Sequence, residues 1–285
     1  MNRQRTLDWC LLAAIILLAA FLRFYRIDSL PPSDGYDQAT YGLDVLDILD
    51  GARPIFLPSN FGREVLFSYL VTLVYLIIGD LATAVYATSA AVGVLAVPAT
   101  YFAARELFFD ERGALGRWGA LLAALTLALS RWHLSWSRLG MRAILVPLFA
   151  ALTVGLLWRG LRTGRRLDFC GCGLVLGLSM HSYQAARALP LLALLGAGYW
   201  FWPWTRVASR ARFTRRDALN LALAAIVLLG LPRIFRTVRS VALRRSRYVE
   251  RAPSDEALLD FIAALEPVID DHCLSLAGAP NGAAM

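Results

Sequence analysis

The feature that most constrains this chain is a series of long apolar runs recurring along most of its length. Leu11 to Leu22 contains no polar residue, with Trp9 ahead of it and Arg23 behind. With its flanks such a run is long enough to cross a hydrocarbon core of about 30 Å. Similar stretches fall at 7–24, 64–79, 81–104, 117–133, 141–160, 168–182, 186–204 and 217–233. With 58% hydrophobic residues in 285, there is more apolar surface than a water-soluble domain of this size can bury, so the surplus must face lipid. The fold class implied is all-α: a polytopic integral membrane protein with about eight transmembrane helices.

Membrane strands are a poor alternative, because these stretches rarely alternate apolar with polar residues over about ten positions. The first run follows Arg3 and Arg5 but has no small-x-small cleavage site before Arg23, so it is expected to persist as an anchor. The cysteines Cys10, Cys170, Cys172 and Cys273 lack the spacing of paired ligand motifs and read as small core residues. The net charge of +8 comes from arginines, which sit largely in short loops, so orientation in the membrane accounts for it and nucleic acid is not implied.

Arg159, Arg162, Arg165 and Arg166 form one basic loop, and Arg206, Arg210, Arg212, Arg215 and Arg216 another. Both belong on the cytoplasmic side, together with Arg3 and Arg5. The loop 26–63, the segment 131–142, the segment 182–187 and everything beyond about Pro232 then face outward. Two ordinary spans between Arg63 and Arg105 would invert every later loop. The basic loops outweigh that tally, so 64–104 is expected to make an odd number of crossings, or one span elsewhere is miscounted.

The long first external loop gathers Asp34, Asp37, Asp44, Asp47, Asp50 and Glu64 beside Arg53 and Arg63. Pro31-Pro32 stops any helix, and Ser33 or Asp34 can cap a new one running from Tyr36 to Asp50 and ended by Gly51. It is amphipathic: Ala39, Leu43, Leu46 and Leu49 suit the membrane surface. Asp37, Tyr41 and Asp44 share a second, polar face. Asp44, Asp47 and Asp50 are read as keeping the solvent face of that helix charged.

The run Asp34-Gly-Tyr-Asp37-Gln38-Ala-Thr-Tyr41, followed by Gly62-Arg63-Glu64-Val-Leu, resembles the first external loop of GT-C membrane glycosyltransferases. It is most similar to the protein O-mannosyltransferase and aminoarabinose transferase branch. Two later segments, Ser130 to Arg142 and His181 to Pro190, resemble outward segments of bacterial relatives. The likeness extends over about 8–250. Gln38 stands where the family usually has Glu, and Val65 where it has Pro.

The resemblance implies transfer of a sugar, with inversion, from a polyprenyl-phosphate donor to an acceptor hydroxyl on a protein or glycan at the outer face of the cell membrane. Asp37 is then the general base, since a carboxylate in hydrogen-bond reach of a hydroxyl can take its proton as the new bond forms. Arg63 is the candidate for the lipid phosphate, set against the plainer role of an arginine snorkelling at the interface. Asp34, Gln38, Glu64, His133, Arg138, Arg142, Tyr183 and Arg187 complete the expected substrate-binding set. No cofactor is required by these residues. Asp34, Asp37 and Glu64 could meet around a divalent metal ion, while His133, His181 and His272 are isolated in sequence.

In domain terms, 1–251 reads as one GT-C-like transmembrane unit containing the external loop 26–63, and 252–285 as a short tail with no family likeness. The chain is short for the family, which leaves open a truncated, a minimal or a split form. Two functions of other classes compete: a non-catalytic partner binding polyprenyl phosphate, which Gln38 favours, and a membrane transporter. A transporter would favour binding residues near mid-membrane in repeated halves, whereas the acidic residues here concentrate in one external loop.

Overall fold

The structure, a computed structural model, describes residues 3–27, 29, 35–54, 56–57, 63–108 and 114–201. Asp34, Gly62, the second basic loop, the run 217–233 and the tail 252–285 lie outside the described residues.

The fold is mainly helical, in the order α1 (Arg3–Phe24), α2 (Tyr36–Leu49), β1 (Phe56–Leu57), β2 (Arg63–Glu64), α3 (Leu66–Ile78), α4 (Leu81–Leu107), α5 (Ala114–Leu129), α6 (Arg131–Arg138), α7 (Leu145–Thr163), α8 (Arg166–Ser179) and α9 (Leu189–Phe201). Short 3-10 turns at Arg142–Ile144 and Gln184–Ala188 precede α7 and α9. Among the described residues the one departure from all-α is β1 and β2, a two-residue antiparallel pair matching Phe56 with Glu64 and Leu57 with Arg63.

Helix α4 is the axis of the bundle, packing against α1, α3, α5, α6 and α7. Within its span-length window 61% of residues are buried by protein, against 17% in α1, which leaves most of α1 to lipid. Small residues make this central position workable. Ala84, Ala87, Ser89, Ala90, Gly93 and Ala96 are buried along α4, and small side chains let helices approach closely where lipid gives no hydrophobic drive. At Gly93 a Cβ would run into Ser137 and Arg23. At Gly155 of α7 it would meet the Phe102 ring of α4.

Among the described residues three helices are long and apolar enough to cross a membrane, namely Thr6–Phe24, Leu81–Leu107 and Arg142–Thr163. The run expected to cross at 64–79 forms a helix of only 13 residues, about 20 Å at 1.5 Å per residue and too short for a 30 Å core. Gly79 stops it in the left-handed conformation (φ 80°), donating its N–H to Tyr75. Asp80 then caps α4 through the Thr83 N–H.

Contacts between helix termini define two ends of the bundle. At one end Asp8 of α1 pairs with Arg117 of α5, Glu106 of α4 with Arg162 of α7, and Arg159 of α7 with Asp168 of α8. At the other end Arg23 of α1 bonds carbonyls at the close of α5 and the His133 ring of α6. There too Glu64 lies between Arg142, before α7, and Arg187, before α9. Glu64 and Arg105 thus lie at opposite ends, with the short helix α3 packed against α4 between them.

Candidate functional site

Helix α2 carries the polar residues into the site. Its buried face is Gln38, Tyr41, Gly42, Asp44, Val45 and Ile48, while Leu43, Leu46 and Leu49 are exposed. This is the division that the amphipathic pattern calls for. Asp47 and Asp50 keep to the exposed side. Asp44 does not: expected on the solvent face, it is 4% exposed. Its carboxylate accepts from Arg63 Nη2 at 2.8 Å and from the Ser68 hydroxyl at 3.0 Å. Burial pushes the Asp44 pKa upward, and the Arg63 guanidinium and the Ser68 hydroxyl act against that.

Arg63 sits in β2 with 1% exposure, its guanidinium 5.5 Å from the centre of the Tyr41 ring. Its side chain is buried within the protein and paired with Asp44. The reason lies in partner chemistry: a carboxylate one helix away neutralises it in a dry setting, where an unpaired guanidinium would be costly. Arg63 and Asp44 together lock α2 onto the strand that carries the next residue, Glu64.

Glu64 is the centre of the charged cluster. It is 8% exposed, with Oε2 3.8 Å from Arg142 Nε and Oε1 3.5 Å from Arg187 Nη2. These are ion pairs at longer than hydrogen-bond range, and Oε2 accepts no hydrogen bond. Arg142 also lies over the Tyr183 ring, 5.5 Å from its centre, while Arg187 has a side chain 55% exposed. The His181 carbonyl accepts the Leu66 N–H at 3.1 Å, tying the segment after α8 to the start of α3. Gly140, at φ 66°, makes the turn that lets the chain before Arg142 press against Val85 and Tyr86.

Tyr41 joins the two halves. Its ring meets Phe67 edge-on at 5.0 Å, and its oxygen is hydrogen-bonded to the Arg142 backbone. Burial pushes the phenol up to about 12, with Arg142 acting in the opposite sense, so it stays protonated. Asp37 lies one turn before Tyr41 on the same face, near enough to raise the phenol electrostatically.

Glu64, Arg142, Tyr183 and Arg187 are therefore brought together, with Asp37 on the helix above. His133 and Arg138, expected in the same cluster as Arg142, are occupied elsewhere. His133 is 4% exposed, and its Nδ1 accepts from Arg23 Nη2 at 2.9 Å. Arg138 donates to the carbonyls of Leu22 (2.8 Å), Arg23 (3.1 Å) and Tyr25 (2.8 Å), capping the C-terminus of α1. Gln38 donates its amide to the Leu139 carbonyl. An ionised glutamate has no proton to donate there, which is a local reason for the amide at this position.

Sequence reasoning missed Arg23, Ser68 and the inward face of Asp44. Tyr41 and Asp44 at i and i+3 beside an interfacial Arg63 were the available signal. Among the described residues no group of three His, Cys, Asp or Glu side chains could hold a metal ion, and Asp34 is not among those residues.

A family model described as dolichyl-phosphate-mannose-protein mannosyltransferase matches residues 63–231. The match takes in Arg63, Glu64, His133, Arg138, Arg142, Tyr183 and Arg187 but begins after Asp37 and Gln38. No curated protein matches the chain. With more than half of its length matched, the chain belongs to the dolichyl-phosphate-mannose-protein mannosyltransferase family of GT-C-type membrane glycosyltransferases.

Proposed function

We propose that this protein transfers a sugar from a polyprenyl-phosphate donor to an acceptor hydroxyl at the external end of the bundle, inverting the anomeric centre. The observation that carries this reading is the Glu64–Arg142–Arg187 cluster, linked to Asp37 through Tyr41, on which both Arg142 and Asp37 act. Two guanidiniums against one carboxylate leave net positive charge, and Arg187 is the cation with an exposed arm. As the bond from sugar carbon to phosphate oxygen breaks, negative charge grows on the phosphate, where fixed cations lower the barrier. Arg187, backed by Arg142, takes the role expected of Arg63. Asp37 accepts the acceptor's proton as the new glycosidic bond forms, for a contribution of about 10²–10⁴-fold. A single displacement of this kind inverts configuration. No step in this scheme calls for a metal.

The topology that supports this reading has the arginine-rich end, with Arg159, Arg162, Arg165 and Arg166, in the cytoplasm and the Glu64 end outside. An odd number of crossings between Glu64 and Arg105 agrees with the loop charges, and the short α3 supports it. The full chain makes about eight crossings and is organised as a 1–251 catalytic unit with a 252–285 tail.

The test is binding of polyprenyl-phosphate-mannose to purified protein in nanodiscs. Arg187→Ala should weaken affinity by about tenfold or more, as expected for loss of one charge-assisted contact. Unchanged affinity in Arg187→Ala and in Arg142→Gln would remove the basis for the reading. A second reading, a non-catalytic donor-binding partner, is favoured by Gln38, whose amide bonded to Leu139 replaces the acid expected beside Asp37. It predicts donor binding without transfer.

A further inference from the structure

At the arginine-rich end of the bundle, α1 and α4 diverge around a groove of about 450 Å³. This is within the usual range for small-molecule sites, about 300–1,000 Å³. Its walls are apolar, formed by Trp9 and Leu12 from α1 and by Pro98 and Phe102 from α4. Pro98 lacks the N–H that would continue the α4 ladder and crowds the preceding turn, which disturbs the helix at the groove wall. Trp9 is 63% exposed, as suits an indole at a membrane interface.

The charges around the mouth are uneven. Arg117, Arg162 and Arg159 each pair with a carboxylate: Asp8, Glu106 and Asp168 respectively. Asp8, which lines the groove, is thereby neutralised. Arg105, also lining it, has no carboxylate partner among the described residues. It is held instead by Tyr101, donating to the phenol oxygen at 2.8 Å and lying 5.9 Å from the ring centre. A neutral anchor keeps its direction and leaves its full charge at the groove mouth.

We infer that this groove binds an anionic membrane phospholipid, with one acyl chain along Trp9, Leu12, Pro98 and Phe102 and the phosphodiester at Arg105. A phosphodiester carries one negative charge, matching Arg105, the arginine that lines the groove and has no carboxylate partner among the described residues. The location fits as well, because basic pockets between transmembrane helices on the cytoplasmic side recognise anionic headgroups. The inference rests on the orientation proposed above, with the arginine-rich end in the cytoplasm, and is independent of the transfer chemistry at the other end.

The experiment is native mass spectrometry of the full chain in detergent, titrated with phosphatidylglycerol and with phosphatidylcholine. The wild type should retain one phosphatidylglycerol in preference to phosphatidylcholine. Arg105→Gln should lose about fivefold of that preference, the effect of one arginine near an anionic lipid, while Arg105→Lys keeps most of it. Trp9→Ala should weaken retention of both lipids. Equal retention of the two lipids by the wild type, or an unaltered preference in Arg105→Gln with an unchanged melting temperature, would overturn the inference. Displacement of phosphatidylglycerol by a lower concentration of polyprenyl phosphate would also overturn it, assigning the groove to the carrier lipid.

Discussion

Removing one member of the Asp44–Arg63 pair should be among the most damaging single changes in the described residues, and the two removals should differ in their pH dependence. The side chains are 6% and 2% exposed, with 2.8 Å between them. Asp44→Ala removes the carboxylate that faces the buried Arg63 guanidinium, a loss of about 3–5 kcal/mol. For a chain of this size that is on the order of 10 °C in melting temperature. Arginine does not deprotonate in proteins, so the Asp44→Ala variant itself has no group at this site whose titration would make its stability depend on pH. Arg63→Met leaves a buried carboxylate, which can escape by taking up a proton. Without Arg63, the burial that already pushes Asp44 upward acts unopposed by that charge. The folded state then holds its proton to higher pH than the unfolded state does. Stability of Arg63→Met should therefore fall as pH rises through the folded pKa and be restored below the unfolded value near 3.9. The double variant should be less destabilised than the two single losses added together. Thermal unfolding of detergent-purified protein, followed by size exclusion at several pH values, measures all three. If both single variants melt within about 1 kcal/mol of wild type, or if their losses simply add, then Asp44 does not hold Arg63 and the lock between α2 and β2 is wrong.

Two further outcomes follow from the same geometry. Glu64→Gln removes the charge that aligns Arg142 and Arg187, so donor affinity should hold or rise while transfer falls by about tenfold through lost orientation; a fall in affinity with transfer per bound donor intact would contradict this. In a cysteine-free background, Asp47→Cys should react with a membrane-impermeant thiol reagent from outside and Arg165→Cys only after permeabilisation, and the opposite pattern would reverse the topology.

Most of the helical architecture was legible in the apolar runs. Helices α1, α4, α5, α7, α8 and α9 each fall on a stretch that burial or lipid exposure demands. The reversal at Gly79 was less so. Hydropathy registers that 64–79 is apolar but not that it folds back onto α4 after 13 residues. In the site, the face shared by Asp37, Tyr41 and Asp44 followed from helical spacing alone. Which charges pair across the fold did not, because Glu64, Arg142 and Arg187 are far apart in sequence and meet only through the packing of α3, α7 and α9. For the same reason the contacts of Arg138 with the carbonyls at the end of α1, and of His133 with Arg23, were not legible in the sequence. A cation in an outward segment has the same sequence signature whether its partner is a lipid phosphate or a helix terminus.

The central claim is tested most directly by the turnover of polyprenyl-phosphate-mannose in proteoliposomes supplied with an envelope acceptor fraction, comparing wild type with Asp37→Asn. The substitution keeps size and most hydrogen bonding but removes the base, which acts in the transition state and not on the lipid phosphate. The account predicts sugar transfer by the wild type, a loss of about two to four orders of magnitude in Asp37→Asn, and donor affinity unchanged between them. Transfer at the wild-type rate in Asp37→Asn would contradict the base assignment, and donor binding without any transfer by the wild type would contradict the account as a whole.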